Sequence, residues 1–366
     1  MKKLSGNLSF QRGQFHLQTG DFSIPLKGVT AIFGHSGSGK TSFLRCLAGF
    51  EEAAKGYVLF SDQAWLKENK VLPIHKRQLG YVFQEASLFA HLDVEANLRY
   101  GLKRNLFKKS RSKQINFDQV VNWLALEELL KRDVSTLSGG ERQRVAIGRT
   151  LLSQPKILMM DEPMASLDLF AKRAIMPYLE RLRDELDIPI LYISHSPEEV
   201  ERLADTVIFM NEGKIDSIEP IEEALNRTDT PLYQSSEPRS VLSAKVVEQL
   251  PEQGLTRLQV GEAELFVPAI TEVSEKHHNS QVRVVIAANQ VSLMAEQPKL
   301  TSMLNHLPVL IESIEEQNQY SLLLTLRIEN APWPLLAQVT KRSQKVLDLQ
   351  VGQSWVAALK SVSILN

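Results

Sequence analysis

The sequence contains one cysteine, Cys46, in 366 residues. A lone cysteine excludes an internal disulfide framework and suits a reducing compartment. An excess of charge of either sign is also missing: 42 Lys and Arg stand against 43 Asp and Glu, a formal net charge of −1. No global field of this kind attracts nucleic acid, so no nucleic-acid partner is expected. No window reaches the roughly 18 uninterrupted apolar residues of a membrane span. Runs such as KILMM (156–160) and PILYI (189–193) have the length of buried strands. Behind Lys2 and Lys3 there is no apolar run of the signal-peptide kind, so a membrane role is expected to go through a partner.

What is present divides along the chain. Residues 1–228 alternate short apolar runs with amphipathic stretches, the pattern of a parallel sheet with crossover helices. The strand-like runs are VTAIF (29–33), GYVLF (56–60), LGYVF (79–83), KILMM, PILYI and TVIFM (206–210). The stretch KTSFLRCLAG (40–49) reads as a helix closed by Gly49, with Cys46 in its core face beside Leu44 and Leu47. NEGKI (211–215) reads as a turn into a last strand. Over about 85–137 the strands give way to helical patterns, DVEANLRYGL (93–102) and FDQVVNWLALEELL (117–130). This insertion carries a basic run, Lys103, Arg104, Lys108, Lys109, Arg111 and Lys113, readable as a solvated loop or as a contact for lipid headgroups or a membrane partner. Residues 229–240 read as a linker. From 241 to 366, β alternation replaces helical periodicity. There VRVVIAANQVSLM (282–294) resembles SWVAALKSVSIL (354–365), which suggests a small all-β barrel of two repeated units.

Three motifs carry chemistry. GHSGSGKT, Gly34, His35, Ser36, Gly37, Ser38, Gly39, Lys40 and Thr41, fits the P-loop pattern between a strand and a helix. Its glycines let backbone N–H groups approach phosphates, and the helix N-terminus adds partial positive charge. Lys40 is expected to reach the β- and γ-phosphates of ATP, and the Thr41 hydroxyl to ligate Mg²⁺. KILMMDEP then delivers Asp161 to the end of a buried strand to hold Mg²⁺, and Glu162 is expected to be the general base for the attacking water. An adjacent acid pair after a strand can also serve simply as helix N-terminal charge. The third motif, LSGGERQR (137–144), puts Ser138, Gly139 and Gly140 at a helix start, where Ser138 caps and free N–H groups bind an anion. The P-loop already supplies this chain's own phosphate site. The second anion site is therefore expected to complete the ATP site of a facing subunit.

LSGGERQR between a P-loop and MMDEP resembles the signature of ABC transporter nucleotide-binding domains. The resemblance covers residues 1–228 and implies an α/β ABC ATPase fold that works as a homodimer, with two ATP molecules sandwiched between P-loop and signature. It further implies that Gln84 is a catalytic glutamine-loop residue, between ATP and the membrane subunit, that ligates Mg²⁺ with Thr41 and Asp161, that Ser166–Asp168 signals across the dimer, and that His195 is catalytic and contacts the γ-phosphate. An aromatic that stacks on adenine is expected upstream, either Phe10 or Phe15. The tail stretches TSMLN (301–305) and LKSVSI (359–364) resemble the molybdate-binding β module of molybdate-importer ATPase subunits. This implies an ATP-hydrolysing subunit on the cytoplasmic face of a bacterial inner membrane. It would be attached to permease subunits and served indirectly by a periplasmic oxyanion-binding protein, with molybdate or tungstate as cargo. Importers of sulfate, ferric iron or sugar and soluble ABC ATPases are the alternatives, as is a tail that only dimerises. The β module commonly carries an arginine where this chain has Leu304. With Ser302, Lys360 and Ser361 at the expected positions, and Asn289 as the first-repeat counterpart of Lys360, oxyanion binding at the tail is expected to be weak or absent.

Overall fold

The computed structural model describes residues 2–67, 70–103, 115–227, 230–233, 238–269, 281–298 and 300–365. Of the basic run, Arg104, Lys108, Lys109, Arg111 and Lys113 lie outside the described residues. The chain divides into two compact units, Met1–Ile221 and Glu222–Asn366.

The first unit opens with two long strands that the sequence reading passes over, β1 (Lys3–Arg12) and β2 (Phe15–Pro25). Leu4, Leu8 and Phe10 alternate inward along β1, but Gly6 replaces an apolar side chain where the Phe22 ring packs, so the period is interrupted in sequence. Next come β3 (Val29–Phe33), α1 (Lys40–Ala48), β4 (Lys55–Phe60), β5 (Gln63–Lys67), β6 (Lys70–Val71) and β7 (Leu79–Val82). The helical region holds α2 (Val94–Lys103) and α3 (Phe117–Trp123), followed by α4 (Gly139–Leu151). The unit closes with β8 (Ile157–Asp161), α5 (Leu169–Glu185), β9 (Ile190–Ile193), α6 (Pro197–Leu203), β10 (Thr206–Asn211) and β11 (Lys214–Pro220).

These strands form two sheets. An antiparallel sheet runs β2-β1-β4-β5-β6, so GYVLF belongs to it and not to the parallel sheet. The other runs β11-β10-β3-β9-β8-β7, parallel except for its β11 edge. Strands β3, β8 and β9 are buried at every position, which is why they read as unbroken apolar runs. Val94 and Leu98 of α2 and Val120 of α3 share a core with Val145 and Leu151 of α4. Gly148 lets these helices close, since a Cβ there would lie 2.9 Å from Leu98 and 3.1 Å from Val120.

One helix is shorter than its apolar pattern predicts. The pattern 117–130 breaks after Trp123, because Ala125 takes φ 44° and only a 3₁₀ turn at Glu127–Leu129 follows. The Arg144 guanidinium binds the freed Leu124 and Ala125 carbonyls at 2.6 and 2.8 Å.

In the second unit, α7 (Ile221–Asn226) begins at the unit boundary, and a 3₁₀ turn at Pro231–Tyr233 buries Leu232. Then come β12 (Arg239–Leu250), β13 (Leu255–Val260), β14 (Ala263–Pro268), β15 (Gln281–Ala287), β16 (Val291–Met294), β17 (Asn305–Glu316), β18 (Ser321–Ile328), β19 (Leu335–Thr340), α8 (Lys341–Leu347), β20 (Ser354–Leu359) and β21 (Ser363–Leu365). Helix α8 is the exception to the all-β reading. Its N-cap Thr340 accepts from the Ser343 amide at 3.0 Å, and its exposed Val346 gives no β alternation to detect.

The repeat is present as two five-stranded sheets of matching order, β14-β13-β12-β15-β21 and β19-β18-β17-β20-β16. Each repeat sends its last strand to the other sheet: β21 pairs with β15, and β16 pairs with β20. Even the irregularities correspond, with register shifts at Val246/Glu248 on β12 and at Ile311/Ser313 on β17.

Candidate functional site

The site assembles at one edge because parallel strands deliver their carboxyl ends together. Strand β3 leads into Gly34–Lys40, β8 ends at Asp161, β9 leads to Ser194 and His195, and β7 leads to Gln84. The loop 34–39 is closely held. A Cβ on Gly34 would fall 2.2 Å from the Met210 carbonyl oxygen, and Gly39 takes φ 103° against the Phe15 ring. Both positions require glycine for physical reasons.

Lys40 is 4% exposed, and its Nζ donates to the Gly34 and His35 carbonyls at 2.9 and 2.8 Å, inside the loop. Burial lowers its pKa, with Glu162 and then Asp161 opposing that shift. Ser38 Oγ is buried without a hydrogen-bond partner. Thr41 Oγ1 donates to Asp161 Oδ1 at 2.9 Å, and Tyr81 Oη donates to Asp161 Oδ2 at 2.8 Å. Sequence reasoning missed Tyr81 as a member of the site. It lies on β7 beside β8, and the alternation within LGYVF could have placed it.

Glu162 takes φ 46°, a left-handed conformation rare for a residue with a Cβ, and its Oε2 lies 3.4 Å from His195 Nδ1. After it the chain turns through Ala165 N–H to Glu162 O at 3.1 Å and Leu167 N–H to Met164 O at 3.1 Å. Asp168 then caps α5 by accepting from the Ala171 amide at 2.8 Å. Gln84 is exposed two residues past β7, and its side chain is hydrogen-bonded to neither Thr41 nor Asp161.

Ser138 caps α4 in a reciprocal box: its Oγ accepts from the Glu141 amide at 3.3 Å, and Glu141 Oε2 accepts from the Ser138 amide at 2.7 Å. Gly139 faces Leu167, 2.9 Å from where its Cβ would be, and Gly140 faces open space. Of the two aromatics, Phe10 is 6% exposed in the core, whereas Phe15 lies against Gly39 of the loop. In the tail, Ser302, Leu304 and Lys360 are exposed, and Ser361 Oγ meets Gln290 Oε1 at 3.4 Å. Asn289 is exposed in the corresponding turn of the first repeat.

A glycine-bound lysine loop, a threonine and aspartate pair at a strand end, and a capped signature helix together define an ABC-type ATP-binding protein. An ABC transporter family model matches residues 17–165, and a TOBE domain model matches residues 301–365. A molybdenum import ATP-binding protein ModC from Methylococcus capsulatus is 45% identical over 346 residues, covering 94% of this chain and 95% of that protein. A protein of the same name from Hahella chejuensis is 42% identical over 368 residues, covering 99% of each. Among solved structures, a nucleotide-free ATP-binding cassette from an ABC transporter matches with TM-score 0.52 and 26% identity, over 64% of this chain and 100% of that one. The chain cbiO1 from Clostridium perfringens, part of the ABC transporter complex cbiONQ, matches with TM-score 0.51 and 27% identity, over 60% and 89%. The chain belongs to the ModC family of molybdenum import ATP-binding proteins within the ABC transporter ATPases.

Proposed function

We propose that this chain hydrolyses ATP to energise molybdate import, with tungstate as a chemically similar cargo. Its cassette (1–228) works as a homodimer on permease subunits at the cytoplasmic face of the membrane, joined through 229–240 to the tail (241–366). A periplasmic oxyanion-binding protein supplies the anion. Among the described residues no helix is long and apolar enough to cross a membrane, so the permease is the proposed point of attachment.

The observation that carries the reading is the pairing of Glu162 with His195 beside the Asp161–Thr41 hydrogen bond. Loop amides of residues 34–41 and the Lys40 ammonium bind the β- and γ-phosphates, and the unpartnered Ser38 hydroxyl is a further donor. Phe15, beside Gly39, is the aromatic that supports the adenine. Thr41 and Asp161 are hard oxygen donors suited to Mg²⁺, with Gln84 joining them on closure; when bound, that ion neutralises phosphate charge. Glu162 Oε2 takes the proton of the attacking water, and His195 holds Glu162 and reaches the γ-phosphate. Ser138, Gly139 and Gly140 of the facing subunit complete the donor set, so catalysis waits on dimer closure. In the tail, Ser302, Lys360 and Ser361 offer one cation, and exposed Leu304 adds none. Oxyanion binding there is weak or absent, and the tail serves mainly to hold two subunits together.

The test is Glu162→Gln. The variant is expected to bind ATP and dimerise while hydrolysis falls by roughly 10²- to 10⁴-fold. Turnover near the wild-type rate moves the base to His195.

A further inference from the structure

Glu199 is a buried carboxylate that the proposed reaction does not use. It lies in the first turn of α6 with its side chain 7% exposed. Its Oε2 accepts from Tyr192 Oη at 2.9 Å and from Ser194 Oγ at 2.6 Å, and its Oε1 accepts from Lys172 Nζ at 3.3 Å. The Ser194 hydroxyl oxygen accepts in turn from the Ser196 amide at 3.0 Å, and Ser196 Oγ accepts from the Glu199 amide at 3.4 Å. A closed ring of hydrogen bonds therefore grips the residues on either side of His195.

The remaining oxygen reaches another element. Lys172 sits one turn into α5, and its amide donates to the carbonyl of Asp168 at 2.9 Å. The same carboxylate thus touches the helix that follows the Ser166–Asp168 loop.

Local folding does not require a charge at this position. Ser196 already caps α6 and Pro197 starts it. Replacing a whole buried ionic cluster by apolar residues is often neutral in stability, whereas removing Glu199 alone leaves the Tyr192 and Ser194 hydroxyls without this acceptor. What the carboxylate adds is direction. Charge-assisted hydrogen bonds are shorter and stronger than neutral ones, and the Ser194 contact is of that kind. Burial, reinforced by Glu199, pushes the Tyr192 hydroxyl well above its ordinary range, so it remains a donor.

We propose that Glu199 is a positioning residue for hydrolysis: through Ser194 and Ser196 it aims His195 at Glu162, and through Lys172 it ties that turn to the helix after the Ser166–Asp168 loop. This rests on the hydrolytic role of His195 proposed above.

The test compares steady-state ATP hydrolysis by full-length Glu199→Gln, Ser194→Ala, their double variant and His195→Ala, with ATP affinity and thermal midpoint measured for each. Glu199→Gln and Ser194→Ala are each expected to lower kcat about 10- to 100-fold while KM stays within about twofold, as misplacement of a catalytic group does. The double variant is expected to lose no more than the worse single one, because both act along one path. In ¹⁵N-histidine spectra the His195 imidazole signals should move in Glu199→Gln. If His195→Ala is inactive while Glu199→Gln turns over normally, Glu199 has no such role. If His195→Ala turns over normally, the reading beneath the proposal falls. Parallel loss of kcat, ATP affinity and thermal midpoint would make Glu199 merely structural. Should Glu199→Gln not fold, Ser194→Ala, which deletes a single hydroxyl, decides by the same criteria.

Discussion

Cys46 is packed at 3% exposure on α1, and burial pushes its thiol from the ordinary 9.0 up to about 12. Glu51 adds to the shift and Arg45 opposes it. Because the folded pKa is the higher one, this group's contribution to stability is fully present below about pH 9. It is lost as pH climbs from there toward 12. At pH 8 almost no thiolate exists in the native chain, and the thiolate is the species that alkylates. Iodoacetamide labelling at pH 8 is therefore expected to be roughly 100-fold slower or more than in denaturant, limited by opening of the first unit. Fast stoichiometric labelling of native protein, followed by mass spectrometry, would show that α1 opens readily. The cysteine then reports folding and plays no part in the chemistry beside it. A few residues away the packing is equally exacting: Gly49 has φ 88°, and a Cβ there would fall 2.5 Å from the Arg77 guanidinium carbon. That guanidinium binds the Leu47, Trp65 and Leu72 carbonyls, fixing the C-terminal end of the helix whose N-terminal end carries the P-loop.

At the scale of elements, side chains often finish what the backbone leaves open. Asn305 of β17 accepts from the Phe266 amide at 2.7 Å and donates to the Phe266 carbonyl at 2.9 Å, acting as one rung of ladder to β14 in the other sheet. Ser240 of β12 does the corresponding work for β19, accepting from the Leu336 amide at 2.7 Å. In Asn305→Ala both Phe266 groups lose their partner, at a cost of about 1–3 kcal/mol. Amide exchange at Phe266 is expected to rise roughly tenfold to a hundredfold, read by hydrogen-exchange NMR or mass spectrometry. Unchanged protection would mean that another group closes the seam. The contrast with α3 is instructive. The amphipathic pattern of 117–130 was legible, but its early end depends on Arg144, which is distant in sequence and takes the carbonyls that a longer helix would have used.

For the whole molecule, the exchanged strands make the two tail repeats one folding unit. The segment 301–365, the span of the TOBE match, contains β21 but not its partner β15, and lacks β16 from the edge of its own sheet. A fragment of residues 301–365 is expected to be largely unfolded. A fragment of 239–365 should fold cooperatively, as tested by far-UV circular dichroism and urea titration. A folded 301–365 fragment would show that one repeat suffices.

Local pattern determined a good deal of this protein. The P-loop, the buried strand before Asp161 and the signature cap at Ser138 depend on residues near one another in the chain, and the duplicated tail shows in the likeness of 282–294 to 354–365. Their chemistry follows from spacing and from alternation. The tertiary structure decided what depends on strand order. It paired β7 with β8, which brings the Tyr81 hydroxyl to Asp161. It set β9 beside β8, which brings His195 to Glu162, and it separated buried Phe10 from Phe15 at the loop. It also sent the final strand of each repeat to the opposite sheet. The physical reason is common to the three strand pairings. Hydrogen bonds between parallel or exchanged strands join segments tens of residues apart, and no local periodicity records which partner a buried strand will choose.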